Sequence, residues 1–168
     1  MYGSYETVGG RAALRFERRL AHPVEKVWRA VTEPDELAHW FPATVTVDLR
    51  PGGAMSFDFG GGMTLGGVVT ELDPPRVFAF RWGTEDLRFE LEPLDDGCRL
   101  TFLHVLDEAD TAARNAAGWH VCLDRLAARL AGERVAAPDS SPTPEWREHY
   151  DQYVRRGMPS GAPIPTRT

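Results

Sequence analysis

The stretch Gly97-Cys98-Arg99-Leu100-Thr101-Phe102-Leu103-His104-Val105, continuing through Leu106-Asp107-Glu108-Ala109-Asp110 into Thr111–Ala131 (TAARNAAGWHVCLDRLAARLA), decides the fold. Arg99 to Val105 alternates polar and apolar residues, the period of a half-buried strand. Thr111 to Ala131 then has no proline, many alanines, and an apolar stripe of Ala112, Ala116, Trp119, Leu123, Leu126 and Leu130. Gly132 follows it as a helix stop, and Asp107 or Asp110 is placed to cap its start. Twenty-one helical residues span about 32 Å, enough to cross a whole sheet. The last strand therefore feeds one long helix whose apolar face must lie on the strands before it.

Upstream, strand patterns follow in close succession: Thr44–Leu49, Met55–Phe59, Met63–Leu72, Val77–Trp82 and Leu87–Leu91. They are punctuated by Pro51-Gly52-Gly53, Gly60-Gly61-Gly62, Asp73-Pro74-Pro75, Gly83 and Asp95-Asp96-Gly97. Tight turns between strands make antiparallel neighbours, and Asp96-Gly97 is a strong hairpin signal. Before them stand a strand over Ala12–Leu20 and two short helices. Val24, Val27, Trp28 and Val31 mark the first helix; the second runs from Asp35 to Trp40 between Pro34 and Pro42. The expected fold is α+β: a curved antiparallel sheet of about seven strands wrapped on a long C-terminal helix, with two short helices after the first strand.

Composition bounds the function. The 168 residues carry 19 basic and 25 acidic side chains, a net charge of −6, and Lys26 is the one lysine. An acidic chain without a basic stripe or helix-turn-helix pattern does not suit nucleic acid. No run approaches a membrane span, and the N-terminus has no signal-peptide pattern, so a cytoplasmic protein is expected. Residues 1–132 read as the main domain. Residues 133–168 read as a proline-rich linker around Ser140-Ser141-Pro142-Thr143-Pro144 and an extension. In the extension Trp146, His149, Tyr150, Tyr153 and Val154 form an amphipathic helix at about 145–156. Its stripe needs a cover: the chain's own domain, or a second copy in a homodimer.

Strand parity supplies a candidate binding surface. Charged Arg88, Glu90 and Glu92 point out, so Phe89 points in; by the same rule Phe57, Phe59, Phe80, Trp82, Phe102 and His104 point in. With Trp40, Phe41 and Trp119 they make an aromatic inner face suited to a small hydrophobic or ring-shaped ligand, or simply a filled core. His104 is the weak catalytic candidate, the alternative being a core-bonded histidine. His39 and His120 read as surface residues. Glu71, Asp73, Asp48 and Arg81 are placed to reach a cavity mouth, or to stay in solvent. Gly118 within the long helix calls for a close approach or for ligand space beside Trp119. No histidine pair has metal-ligand spacing, Cys98 and Cys122 form no redox pair, and the Gly60–Gly67 run lacks the lysine and helix of a phosphate loop. No metal and no cofactor are expected.

The element order resembles the START-like helix-grip (SRPBCC) superfamily, in the branch similar to activators of heat-shock-protein-90 ATPase. The resemblance rests on His22-Pro23-Val24-Glu25-Lys26-Val27-Trp28, Leu37-x-x-Trp40-Phe41 and Pro51-Gly52-Gly53. It continues through Glu71-Leu72-Asp73-Pro74-Pro75, Phe80-x-Trp82, Leu100-Thr101-Phe102-Leu103-His104 and Gly118-Trp119. It implies a deep apolar cavity between helix and sheet. The function expected first is binding of a lipid-, polyketide- or hormone-like molecule there. A non-covalent acid/base enzyme of the cyclase or dehydratase kind and a chaperone-ATPase-activator-like interaction protein are the alternatives.

Overall fold

The computed structural model describes residues 1–136 and 142–164. Eight strands form one antiparallel sheet in the order β1-β2-β8-β7-β6-β5-β4-β3. They are β1 (Ser4–Val8), β2 (Arg11–Leu20), β3 (Thr44–Val47), β4 (Ala54–Gly60), β5 (Met63–Asp73), β6 (Val77–Trp82), β7 (Glu85–Leu94) and β8 (Gly97–Val105). Between β2 and β3 lie the helices α1 (Val24–Thr32) and α2 (Pro34–Leu37), and after β8 comes α3 (Ala112–Leu130). The strand order makes every sequential pair a hairpin except β2, which closes on β8 with Phe16 opposite Phe102 and Leu14 opposite His104. The expected sheet, the long helix and the two short helices are all present.

One strand goes beyond the expected seven. Ser4–Val8 pairs with β2 through the two-residue Gly9-Gly10 turn, in which both glycines have positive φ. Two such residues match the backbone twist of a hairpin, so Gly9-Gly10 was the legible signal. The second short helix is a single turn ending at Leu37, rather than a helix to Trp40. Neither Asp107 nor Asp110 caps α3. A 3-10 turn at Ala109–Thr111 leads into it, and Asp107 is held instead by Arg11 at 2.8 Å. At its other end α3 is capped from outside, the ammonium of Lys26 donating to the carbonyl of Leu130 at 2.8 Å.

The sheet bends at β5, where the register shifts between Val69 and Glu71. Gly67 allows a close pass, since a Cβ there would lie 2.1 Å from the carbonyl oxygen of Arg81. The stripe of α3 is buried along its length, with Ala112, Ala116, Trp119, Leu123, Leu126 and Leu130 all in the core. At roughly 1.5–3 kcal/mol for each large apolar side chain buried, this face is what holds helix to sheet.

The chain after α3 returns to pack on it. Of the expected linker, Ser140 and Ser141 lie outside the described residues. Helix α4 (Pro144–Arg155) starts at Thr143, whose hydroxyl accepts from the Trp146 N–H, with Pro144 in the first turn. The following segment ties back through Ala113 N–H to the Pro159 carbonyl (2.9 Å) and Ala162 N–H to the Asp110 carbonyl (3.3 Å). Of the tail stripe, Tyr153 is buried against the rest of the chain, Trp146, His149 and Tyr150 are half-buried, and Val154 stays exposed. Gly118 faces this tail rather than the sheet or a ligand: a Cβ there would meet the Trp146 indole nitrogen at 3.8 Å.

Candidate functional site

The interior gathers the seven residues singled out by strand parity, together with Trp40, Phe41 and Trp119, into one connected set of rings. Phe57 stacks on Phe80 (5.6 Å between centroids), Trp82 on Trp119 (5.6 Å) and Phe89 on Phe102 (4.7 Å). Phe41 bridges Phe57 and Trp119 at 6.2 and 5.6 Å, Trp40 meets Phe89 edge-on at 6.0 Å, and Phe59 leans on Trp82 at 5.5 Å. All are buried except Phe59, which is half-buried near the end of β4. Trp40 is pinned by its indole N–H, which donates to the Ala30 carbonyl at 2.9 Å.

These rings fill the space that the resemblance implies to be a deep cavity. Beneath α1 and α2 only narrow gaps remain, bordered by Val31, Leu37, Phe41, Phe57, Phe80 and Phe89, and none is wide enough for a water molecule. The interior of this conformation is packed, because large rings from four strands, α3 and the Trp40-Phe41 segment meet there.

His104 lies at the polar end of the set. It is fully buried, its Nδ1 accepts from the Trp119 indole N–H at 2.9 Å, and its Nε2 lies 2.6 Å from Glu85 Oε2. An indole N–H only donates, so Nδ1 holds a lone pair and Nε2–H donates to the carboxylate. Both ring nitrogens are engaged, which is the core-bonded arrangement. Glu85 also accepts from the Trp82 indole (3.3 Å) and the Asp107 backbone N–H (3.2 Å). Burial alone would raise the Glu85 pKa; the hydrogen bond from His104 and the electrostatic attraction of that ring, followed by the bonds from Asp107 and Trp82, outweigh it and bring it down to about 2. Glu85 was not singled out from the sequence, although it shares the inward parity of Leu87 and Phe89.

The other polar candidates stay outside. Glu71 pairs with Arg88, Asp73 with Arg76 (2.7 Å), Asp48 with Arg50 (2.6 Å) and Arg81 with Asp86 (3.0 Å), on side chains that are exposed or, for Arg88, half-buried. Both cysteines are free and buried, and burial pushes the Cys122 thiol up to about 12, an inert setting. Gly60, Gly61 and Gly62 turn the β4–β5 hairpin with positive φ throughout.

A second polar cluster has no counterpart in the sequence reading. His120, expected at the surface, is buried (5% exposed) where α3 meets α4. Its Nδ1 lies 2.8 Å from the Tyr153 hydroxyl, which accepts from the Gly3 N–H at 2.8 Å, and its ring stacks on His149 at 3.9 Å. Asp124 Oδ2 stands 3.7 Å from His120 Nε2. Burial, then the neighbouring His149, Arg18 and the N-terminal ammonium, bring the His120 pKa down to about 3. The cover comes from distant parts of the chain: His149 and Tyr153 of α4, and Tyr2, whose ring lies 5.0 Å from that of His120. His39, on the α2–β3 connection, is half-buried.

Comparison with known proteins places the fold. The model of the Activator of Hsp90 ATPase homolog 1-like protein family matches residues 21–131. CalU16 from Micromonospora echinospora superposes with a TM-score of 0.73 at 22% identity, covering 95% of this chain and 96% of that one, a likeness of fold. CV1439 from Chromobacterium violaceum gives 0.59 at 29% identity over 76% of this chain and 98% of its own. DynU16, described as a protein of the dynemicin biosynthetic locus, gives 0.66 at 26% over 73% of this chain and 48% of its own. No curated protein matches the sequence.

Proposed function

The chain belongs to the Activator of Hsp90 ATPase homolog 1-like protein family, and from that premise we propose that it binds a small apolar or aromatic molecule between α3 and the sheet. The observation that carries this reading is the ring-lined interior beneath α1 and α2, whose narrow gaps are bordered only by apolar side chains. A ligand enters by displacing Phe41. That ring sits on the short connection between the one-turn helix α2 and β3, and it fills the gap between Trp119 and Phe57. Its neighbour Trp40 is anchored to Ala30, so the swing is confined to one side chain and the segment after it. Aromatic contacts with Phe57, Phe80, Trp82 and Trp119 then replace those that Phe41 makes in the closed form. The occurrence of DynU16 at a biosynthetic locus is in keeping with small-molecule work. Acid/base chemistry at His104 draws no support from the geometry, since protonating Nδ1 would set two N–H groups against each other.

The test is native mass spectrometry of gently purified protein beside its denatured mass, together with anilinonaphthalene sulfonate fluorescence of Phe41→Ala. A discrete extra mass that leaves on denaturation, or dye uptake by a Phe41→Ala protein with native circular dichroism, supports the reading. A bare mass with no dye uptake by the folded variant overturns it.

A further inference from the structure

The seam between α3, α4 and β2 holds a group of side chains that neither the packing of the core nor the proposed ligand uses. His120 and Asp124 stand one turn apart on α3, and His149 reaches them from α4. One ligand atom from each lies within 4.8 Å of the other two. We propose that His120, Asp124 and His149 form a site for a divalent transition-metal ion, zinc by preference, which clips the C-terminal helix to α3.

Three observations carry it. The first is the preparation of His120. Its Nδ1 is taken by the Tyr153 hydroxyl, itself held by the Gly3 N–H, so Nε2 is the nitrogen left on the Asp124 side. A second partner that fixes ring orientation is the usual outer support of a metal-bound imidazole. The second is that Nδ1 of His149 is buried without a hydrogen-bond partner among the described residues. A buried polar atom left unpaired is costly, and a ligand or a water is the ordinary remedy. The third is the donor set: two imidazoles and one carboxylate suit zinc and its neighbours, not calcium or magnesium, which take oxygen donors.

The surroundings set the terms. Arg18 from β2 and the N-terminal ammonium bear on His120 and oppose a further positive charge, while Asp124 on α3 offsets it. A closed tetrahedral site needs its ligand atoms on the order of 3.4 Å apart and both lone pairs aimed at the ion, so the present spacing must contract and the stacked His149 ring must turn out of its stack on His120. Asp124 has the freedom to move, its side chain being 49% exposed. That exposed side also leaves the fourth position to water and gives the ion its way in.

The test uses the full chain stripped by chelator and titrated with zinc chloride in a calorimeter. The expected result is one zinc per chain, with affinity falling by about tenfold or more in both His149→Gln and Asp124→Asn and unchanged in His39→Gln. Imidazole nitrogen NMR of the unsubstituted protein gives a readout that needs no variant. Zinc must move the ring signals of His120 and His149 and leave those of His22, His39 and His104. Absence of one-to-one binding, wild-type affinity in both variants, or movement of a different set of histidines overturns the proposal.

Discussion

Two buried histidines separate two kinds of interior in this protein. His104 sits among rings contributed by the sheet and α3, with one nitrogen on Trp119 and the other on Glu85. His120 sits where the tail folds over α3, stacked on a second histidine, with one nitrogen on Tyr153 and the other facing a carboxylate beyond hydrogen-bond distance. The first network is closed and every polar atom in it is accounted for. The second leaves two buried nitrogens, on Arg18 and His149, without partners among the described residues. A fully paired buried group acts as structure; an incompletely paired one is where a ligand finds free valence.

The comparison breaks most directly at Phe102, which stacks on Phe89 and lies 4.5 Å from Trp119. Phe102→Ala should cost about 3–5 kcal/mol in urea unfolding, as for a ring removed from a packed core. A cost well below that would mean the sheet-side interior is looser than the rings suggest. Glu85→Ala should cost about 1–3 kcal/mol, because His104 Nε2–H and the Asp107 N–H lose their acceptor.

Acid sharpens the same point. The Glu85 pKa is depressed in the folded state, so the unfolded chain binds the extra proton first. The stabilisation is complete above about 4.5 and is lost as pH falls toward about 2. Unfolding titrations from pH 5 to pH 2 should show this slope in the wild type and a shallower one in Glu85→Gln. On the tail side, Tyr153→Phe removes the bonds to Gly3 and His120 but keeps the ring, and should cost about 1 kcal/mol in thermal unfolding. The smallest effect has the opposite sign. Gly118 lies mid-helix with only an ordinary contact to Trp146 available to a Cβ, so Gly118→Ala should raise stability by about 0.5–1 kcal/mol. A loss there would show that α4 packs more tightly on α3 than that distance indicates.

Much of this architecture was legible in the residues themselves. Strand parity put Phe57, Phe80, Trp82, Phe89, Phe102 and His104 on one face, because successive side chains on a strand alternate between its two sides. The helical stripe from Ala112 to Leu130 named the face of α3 that meets them. Extending the parity of Leu87 back by one pair would have reached Glu85, and the Gly9-Gly10 turn would have revealed β1.

Three things needed the folded chain. Whether the ring-lined interior is hollow or full depends on how side-chain volumes from distant segments sum in one space, and local periodicity carries no volume. The burial of His120 depends on a tail helix that begins two dozen residues later and docks on α3 against the residues that lead into β1. The meeting of His120, Asp124 and His149 depends on the same docking: only His120 and Asp124 share a spacing that a helix repeats. Periodicity is a property of neighbours along the chain and can be read there; complementarity between surfaces exists only once the elements have been brought together.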